Sequence, residues 1–200
     1  MRGSYRQIIE NNLARTFQKE PNRLESTLPA LRRGDAFEFK AFGRQCRLSQ
    51  HGVELDATVE TGVLGVLISL YALHAKALPP VLEPLKSFKD LPHSMPYAGA
   101  FNTHTEIPLI PWVAKIEAAQ SRIFEKLTGS EAGFVGSGDF AFITRPLPKI
   151  SLCYVFYHAD DEFPASATCL FSNNASEFMP TDGLADVGEY TSKEILALLE

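Results

Sequence analysis

The chain has 200 residues, of which 45% are hydrophobic, and a formal net charge of −5. This length and composition can bury the core of one domain, and the acidic balance argues against nucleic-acid binding, which needs a basic face. The three cysteines, Cys46, Cys153 and Cys169, have no CxxC spacing, which excludes the local cysteine pairs of zinc and iron–sulfur sites and indicates reduced thiols in a cytoplasmic protein.

The sequence also shows no pattern typical of a signal peptide or of a membrane-spanning segment. The first 17 residues contain no continuous apolar segment, so we expect no signal peptide. The longest apolar run, at 63–73, is much shorter than the ~20 residues that cross a bilayer. The sequence therefore predicts no membrane partner.

Two helices are predicted at the N-terminus. Ser4 and Gln7 have the spacing of a capping box, which predicts a first helix that ends at Pro21. A second helical segment is predicted over 24–33, with Gly34 as its left-handed C-terminal residue.

A strand meander and a buried helix are predicted next. Apolar and polar residues alternate over two or three short strands, at 36–42, 45–49 and 53–55. A helix is predicted over 58–76, and its apolar residues surround it almost completely, so we expect it at the centre of the fold.

The region 79–111 contains seven prolines among recurring leucine and aromatic residues. Long ordered loops are usually functional, so this proline-rich segment is predicted to be ordered and to face a ligand or a partner. A helix is predicted over 112–128, ending at Gly129.

The last third predicts strands and then helices. Strands are predicted at 139–145, 149–157 and 165–171, the last two as an antiparallel hairpin. Two short helices close the chain, the second introduced by Thr191 and Glu194. We predict an α+β fold, in which an antiparallel sheet (N-terminal meander plus C-terminal hairpin) packs with three to five helices. One domain over 1–200 would contain three segments, at 1–57, 58–132 and 133–200.

Three neighbouring acids, Asp160, Asp161 and Glu162, allow two interpretations. They lie between the predicted hairpin strands, where Asp favours a turn by bonding the backbone two residues on. Alternatively they form a carboxylate site, in which Asp160 and Glu162 would project together because alternate residues share a face. The sequence leaves both open.

Other motifs carry weaker signals. The five histidines have no metal-ligand spacing, so no metal site is predicted, although His93 or His104 could ligate a metal or a corrinoid. The glycine-rich segment 133–138 has no lysine and runs from a helix into a strand, so a backbone turn is predicted there instead of a phosphate loop.

Several motifs together resemble an uncharacterised family of anaerobic bacteria and archaea, known only as a domain of unknown function. They include the aspartate-rich block DDEFPA (160–165) followed by LF (170–171), and upstream FKDLP (88–92) and YxxxF (97–101). Some members carry a fused four-cysteine iron–sulfur module, like those of corrinoid iron–sulfur proteins, which is missing from this chain. The resemblance implies a corrinoid or iron–sulfur partner in anaerobic one-carbon metabolism.

The leading hypothesis is a protein that binds a small molecule, a cofactor or a redox partner. We expect the site where the proline-rich segment covers the C-terminal sheet. The candidate residues are His93, Tyr97, Phe101, His104, Trp112, Asp139, Arg145, Asp160, Asp161 and Glu162. One alternative is that the aromatic residues only complete the core. A second is an enzyme that uses the three acids with Asp139, Arg145 and a histidine. A third is a structural subunit whose partner surface is 79–111.

Overall fold

A computed structural model describes residues 2–18, 21–133 and 138–199. Within these residues the chain forms two antiparallel sheets of five strands with helices packed on them, which confirms the α+β class. The first sheet, in order, contains β1 (Leu31–Arg33), β2 (Ala36–Ala41), β3 (Arg44–Ser49), β4 (Gly52–Leu55) and β5 (Thr58–Val59). The second has the order β6-β10-β9-β8-β7 and contains β6 (Lys86–Ser87), β7 (Ser130–Glu131), β8 (Phe140–Leu147), β9 (Ile150–Tyr157) and β10 (Ser166–Phe171).

The helical segments are distributed along the whole chain. The α-helices are α1 (Arg2–Gln18), α2 (Pro21–Thr27), α3 (Val63–His74), α4 (Ala98–Phe101), α5 (Val113–Ala118), α6 (Gln120–Leu127) and α7 (Thr181–Ala197). Shorter 3-10 turns are Phe88–Asp90, Ile107–Trp112 and Ala175–Glu177, and Asn102–Glu106 is a π-helical turn. No helix in the described ranges is long and apolar enough to cross a membrane.

The first sheet is the predicted meander, and a tight turn joins β2 to β3. Phe42 and Gly43 both have left-handed φ angles, of 50° and 74°. A Cβ atom on Gly43 would lie 1.9 Å from the carbonyl oxygen of Lys126, so this turn accepts only glycine where it meets α6. The two sheets are joined nearby, where the Phe42 N–H donates to the Pro146 carbonyl at 2.7 Å.

The second sheet contains the predicted hairpin of β9 and β10. Alternation along β9 directs Leu152, Tyr154 and Phe156 into the main core, whereas Cys153 and Val155 enter a smaller cluster on the other face. This confirms both the hairpin and its two faces. The three cysteines are buried and free, as predicted.

Helix α3 lies at the centre of the molecule, as its apolar sequence predicts. It packs against α1, α7 and β4, and its residues Leu67, Ile68 and Tyr71 are fully buried. A buried hydrogen bond of 3.1 Å from the Asn12 amide to the Ser69 hydroxyl joins α1 to α3.

Three predicted element boundaries in the first half are wrong. Helix α1 begins at Arg2, so Ser4 lies inside its first turn and is not its cap. The segment 24–33 divides, because residues 31–33 pair with β2 instead of continuing α2. Likewise, residues 58–59 pair with β4, and α3 begins only at Val63. In the last two cases strand pairing overrides the local helical pattern.

Two predicted helices in the second half are also corrected. The helix over 112–128 is divided at Ala119 into α5 and α6, and α6 ends on Thr128 in the left-handed conformation instead of Gly129. The end of the chain forms one helix of 17 residues, α7, in place of two short ones. Thr191 lies inside it, where its hydroxyl donates to the Val187 carbonyl at 2.7 Å.

The proline-rich segment is ordered, as predicted. After β6 it makes the 3-10 turn Phe88–Asp90 and then a continuous ridge of α4 and the π-helical turn, residues 98–106. This ridge packs between β10 and α7.

Candidate functional site

The ridge (residues 98–106) is held in place by Phe101. Its ring stacks on Phe88, with the ring centroids 4.2 Å apart and the planes 7° from parallel, and also contacts Phe171 at 5.6 Å. On the other side, a Cβ atom on Gly188 of α7 would lie 2.6 Å from Phe101, so the glycine permits this close approach. The ridge is therefore packed tightly on both sides.

The ridge ends in an unusual backbone conformation. The Ile107 N–H donates to the Asn102 carbonyl five residues back, which is π-helical geometry. Pro108 follows and has no N–H to donate, so an ordinary α-helix could not continue here. Such π-helical turns occur frequently at functional sites.

A cleft lies between the ridge and the second sheet. We call it the sheet cleft; its volume is about 250 Å³. It is lined by Ser87, Phe88, Lys89, Ala98, Phe101, Asn102, Glu106 and Thr168. Phe101 is the only residue of this lining that was predicted from the sequence as part of the site.

Glu106 is the principal ionisable group of the sheet cleft. Strand β6 pairs with β10 only at Leu170 and Phe171, and the preceding N–H of Cys169 donates to Glu106 Oε1 at 2.9 Å. Burial raises the pKa of Glu106, and the Cys169 N–H bond opposes this rise. The carboxylate thus completes the edge of the sheet at the cost of a partly desolvated charge.

A second concave surface separates the ridge from α7. Two adjoining cavities, of about 220 and about 390 Å³, share Tyr97 and Asp182, and together we call them the α7 groove. The first is lined by Tyr97, Ala100, Phe101, His104, Thr105, Asp182, Ala185, Asp186 and Glu189. The second is lined by Pro92, His93, Tyr97, Ser176, Glu177, Met179, Pro180, Thr181 and Asp182.

Carboxylates of α7 line one side of this groove. Asp182, Asp186 and Glu189 follow one another at spacings of four and three residues, which places them on one face of the helix. Glu189 is paired with Lys193 at 2.6 Å. Burial first, and then Glu189 and Asp182, raise the pKa of Asp186. The Asp186 carboxylate takes part in no hydrogen bond or ion pair within the described ranges, although the Lys193 ammonium opposes the rise of its pKa.

The ridge side of the groove combines an exposed ring with an unsatisfied hydroxyl. Tyr97 is 40% exposed although it is a large aromatic residue. Thr105 is fully buried, and its hydroxyl has no hydrogen-bond partner among the described residues. A buried polar group without a partner is rare in folded proteins and destabilises them.

The structure brings four of the sequence-predicted residues together. His93, Tyr97, Phe101 and His104 all line the α7 groove. Trp112 lies apart, exposed and covered on one side by the Lys115 ammonium, 4.7 Å from the ring centroid.

Two of the predicted polar residues lie away from this groove. The Asp139 carboxylate accepts a hydrogen bond of 2.6 Å from the His158 N–H. Arg145 is exposed at the bulge in β8, and β9 separates that strand from β10. The ring of His158 in turn lies 3.1 Å from Glu117.

The three neighbouring acids form the tip of the hairpin. Asp160 Oδ1 accepts the N–H groups of Glu162 and Phe163 at 2.8 and 2.7 Å. These bonds lower the pKa of Asp160. The Asp160 carboxylate therefore builds the turn, in agreement with the first of the two sequence interpretations.

Sequence reasoning missed the groove's acidic side and Glu106. The spacing of Asp182, Asp186 and Glu189 was visible, but division of the last segment into two helices obscured their common face. Glu106 carried no local signal, because its partner Cys169 is 63 residues away. The predicted turn at 133–138 is outside the described residues at 134–137.

Together these features define an α+β protein with two antiparallel sheets and a helical ridge between two clefts. A family model, that of the domain of unknown function DUF3786, matches residues 27–194, and the chain belongs to this family. The resemblance to an uncharacterised family is thereby confirmed. Comparison with curated proteins gives no match, and comparison with solved structures gives none either.

Proposed function

We propose that this protein binds a small molecule in the α7 groove. The observation that carries the proposal is the 40% exposed ring of Tyr97 on a concave surface that also holds the polar side chains of His104 and Asp186. A ligand that entered the groove would cover the ring and remove its apolar surface from water.

The composition of the groove supports this function. Small-molecule sites combine apolar walls with a few convergent polar groups. Here Tyr97, Phe101 and Ala185 supply apolar surface, and His104 and Asp186 lie beside them. The packing of Phe101 against Phe88 keeps the ridge side rigid, so binding would order few additional side chains.

A spectrum of labelled protein tests the proposal. Nitrogen-15 amide spectra would be recorded while a library of small polar molecules is added to the full chain. We expect the first shifts at the amides of Tyr97, His104 and Thr105, and weaker binding in Tyr97→Ala. Met95→Ala is the matched control, because Met95 is a neighbouring side chain that is 80% exposed and outside both cavity linings. Shifts centred on the hairpin tip at 158–165 would contradict the proposal.

A redox partner is part of the same proposal only through the family resemblance. By that resemblance we assign the corrinoid or iron–sulfur centre to a partner protein, because the four-cysteine module that some family members carry is missing from this chain. Native mass and absorbance of protein purified without oxygen would test this, and a visible chromophore on the isolated chain would contradict it.

A further inference from the structure

We propose that the sheet cleft is a second binding site, and that it takes a small zwitterionic amino acid with an apolar side chain. The ammonium group of this ligand would pair with Glu106 and its carboxylate with Lys89, two residues that line the cleft. The inference goes beyond the proposed function, because it concerns the other side of the ridge and does not depend on the α7 groove.

The sheet cleft exists because two neighbouring strands separate. Strand β6 pairs with β10 only at Leu170 and Phe171, and the chain then leaves the sheet edge in the 3-10 turn Phe88–Asp90. Beyond that point Glu106 occupies the sheet edge, through the hydrogen bond that it accepts from the Cys169 N–H. The space between the turn, the ridge and the sheet is about 250 Å³, which is the volume of about eight liquid waters. A ligand of roughly eight to ten non-hydrogen atoms would therefore fill it.

The charge of Glu106 has no counterpart in the part of the protein that the structure describes. Its Oε1 atom accepts the Cys169 N–H, and no other hydrogen bond or ion pair of the carboxylate is recorded there. Burial raises the pKa of Glu106, so ionisation of this group is unfavourable in the folded protein. A glutamine would accept the same bond without a charge, so completion of the sheet edge does not require a carboxylate. A ligand cation would supply the missing opposite charge.

A second charge lines the same cleft. Lys89, in the middle of the 3-10 turn, is exposed and belongs to no ion pair in the described ranges. Its ammonium group and the Glu106 carboxylate lie more than 4.0 Å apart, too far to pair directly. The neighbouring Ser87 hydroxyl is already used, because it donates to Asp90 at 2.5 Å. A ligand with both charges can lie between Lys89 and Glu106 and pair with each, whereas a simple amine would use only one of them.

The remaining lining indicates the side chain of the ligand. Phe88, Ala98 and Phe101 give the cleft apolar walls, and the stacking of the two rings holds these walls in place. Among the described residues that line the cleft, only Lys89 and Glu106 are charged. An apolar side chain of roughly three to four carbon atoms therefore suits the cleft better than a charged one.

Isothermal titration calorimetry of the full chain with L-leucine tests the inference, and amide spectra of nitrogen-15-labelled protein locate the site. We expect saturable one-to-one binding, with the largest shift at the Cys169 amide. In Glu106→Gln this binding should weaken at least tenfold, although the variant can keep the Cys169 bond. Glu162→Gln is the matched control, because it removes the same charge at the exposed hairpin tip, and it should bind as the unaltered chain does.

Two analogues of leucine separate the two charges of the ligand. 4-Methylpentanoic acid lacks the ammonium group, and 3-methylbutylamine lacks the carboxylate. We expect the acid to bind at least tenfold and the amine at least threefold more weakly than L-leucine, because Lys89 is more exposed than Glu106 and its ion pair contributes less. Lys89→Gln should weaken the binding of L-leucine at least threefold and leave that of the amine unchanged.

Three outcomes would overturn the inference. They are no saturable binding of L-leucine, equal affinities of Glu106→Gln and Glu162→Gln, and an amine that binds as tightly as L-leucine. Urea denaturation of each variant checks that it is folded. If the shifts caused by L-leucine centre on Tyr97 and His104 instead of Cys169, the sheet cleft is not the site and the ligand belongs to the α7 groove.

Discussion

The carboxylate of Glu106 is a single group whose ionisation should be visible in stability. Its raised pKa means that the folded state disfavours the ionised form relative to the unfolded chain. The folded protein therefore loses stability as the pH rises through the unfolded and then the folded pKa. Below both values the carboxyl is neutral in both states and contributes no such loss.

Glu106→Gln should remove this pH dependence. The glutamine carbonyl oxygen can still accept the Cys169 N–H, so the edge of β10 keeps its bond. We expect the stability of the variant, relative to that of the unaltered chain, to increase from pH 4 to pH 8, because only the unaltered chain has a buried carboxyl that must ionise. Urea denaturation at several pH values measures it, with Glu162→Gln at the exposed hairpin tip as the control. If the difference in stability between Glu106→Gln and the unaltered chain stays constant from pH 4 to pH 8, burial does not raise the pKa of Glu106 as described.

Gly188 gives a second prediction at the scale of one residue. In Gly188→Ala the new Cβ would lie 2.6 Å from the Phe101 ring, which Phe88 and Phe171 prevent from moving. Overpacking of this kind costs about 1–3 kcal/mol, against a gain of up to about 1 kcal/mol in helix propensity. We therefore expect a net destabilisation in urea denaturation.

Gly99→Ala is the matched control for this substitution. It lies on the ridge itself, in α4, and no atom is within 4 Å of its added Cβ. We expect it to be neutral or to stabilise the protein by up to about 1 kcal/mol. Equal stabilities of the two alanine variants would show that the ridge does not pack against α7 as described.

Among the elements, the hairpin of β9 and β10 depends on its turn. Asp160→Ala removes the acceptor of two turn N–H bonds, whereas Asp161→Ala removes none that the structure records. We expect Asp160→Ala to be the less stable of the two at neutral pH. Because the folded state lowers the pKa of Asp160, its contribution is present above the unfolded pKa and is lost as the pH falls through the folded value.

The difference in free energy of unfolding between Asp160→Ala and Asp161→Ala should consequently become smaller in acid. Urea denaturation of both at pH 7 and at pH 2.5 measures it. Asp160→Asn should lie between the unaltered chain and Asp160→Ala, since its amide oxygen can accept the same bonds. A difference that grows in acid would contradict the turn as the role of this carboxylate.

Elements with a strong local period were predicted well from the sequence, and those that depend on distant partners were not. Strand β9 alternates over its whole length, and α3 is apolar nearly all round, so both were recognised. Residues 31–33 and 58–59 carry no comparable pattern, and pairing with β2 and β4 determines their conformation. The strand assignments there could come only from knowledge of their partners.

In the candidate site, too, residues that are close in sequence were predicted together and those that come from distant elements were not. His93, Tyr97 and His104 were identified together because they are close in sequence. The opposite wall of the groove comes from α7, and no sequence pattern joins Tyr97 to Asp182, which is 85 residues further along. Asp139 and Arg145 were grouped with them only because charged side chains often line binding sites. In the structure Arg145 lies on β8, and β9 separates β8 from β10.

At the scale of the whole molecule, the packing joins the two sheets into one core. A single hydrophobic cluster extends from Leu13 of α1 through both sheets to Ile195 of α7. The bond from Phe42 to Pro146 and the contact of Gly43 with α6 connect the sheets at one corner. Substitutions in either sheet should therefore alter one cooperative unfolding transition.

The order of strands in the second sheet also has a consequence for how the chain acquires its structure during synthesis. The first sheet contains only neighbouring strands, so its pairing can form as soon as residues 31–59 leave the ribosome. Strand β6 must wait for β10, whose pairing residues are 83 and 85 positions later, and the α7 groove waits for α7 itself. Pulse-labelled hydrogen exchange should accordingly show early protection in β2 and β3 and later protection in β6. A nascent chain would thus pair the strands of its first sheet before the α7 groove is complete.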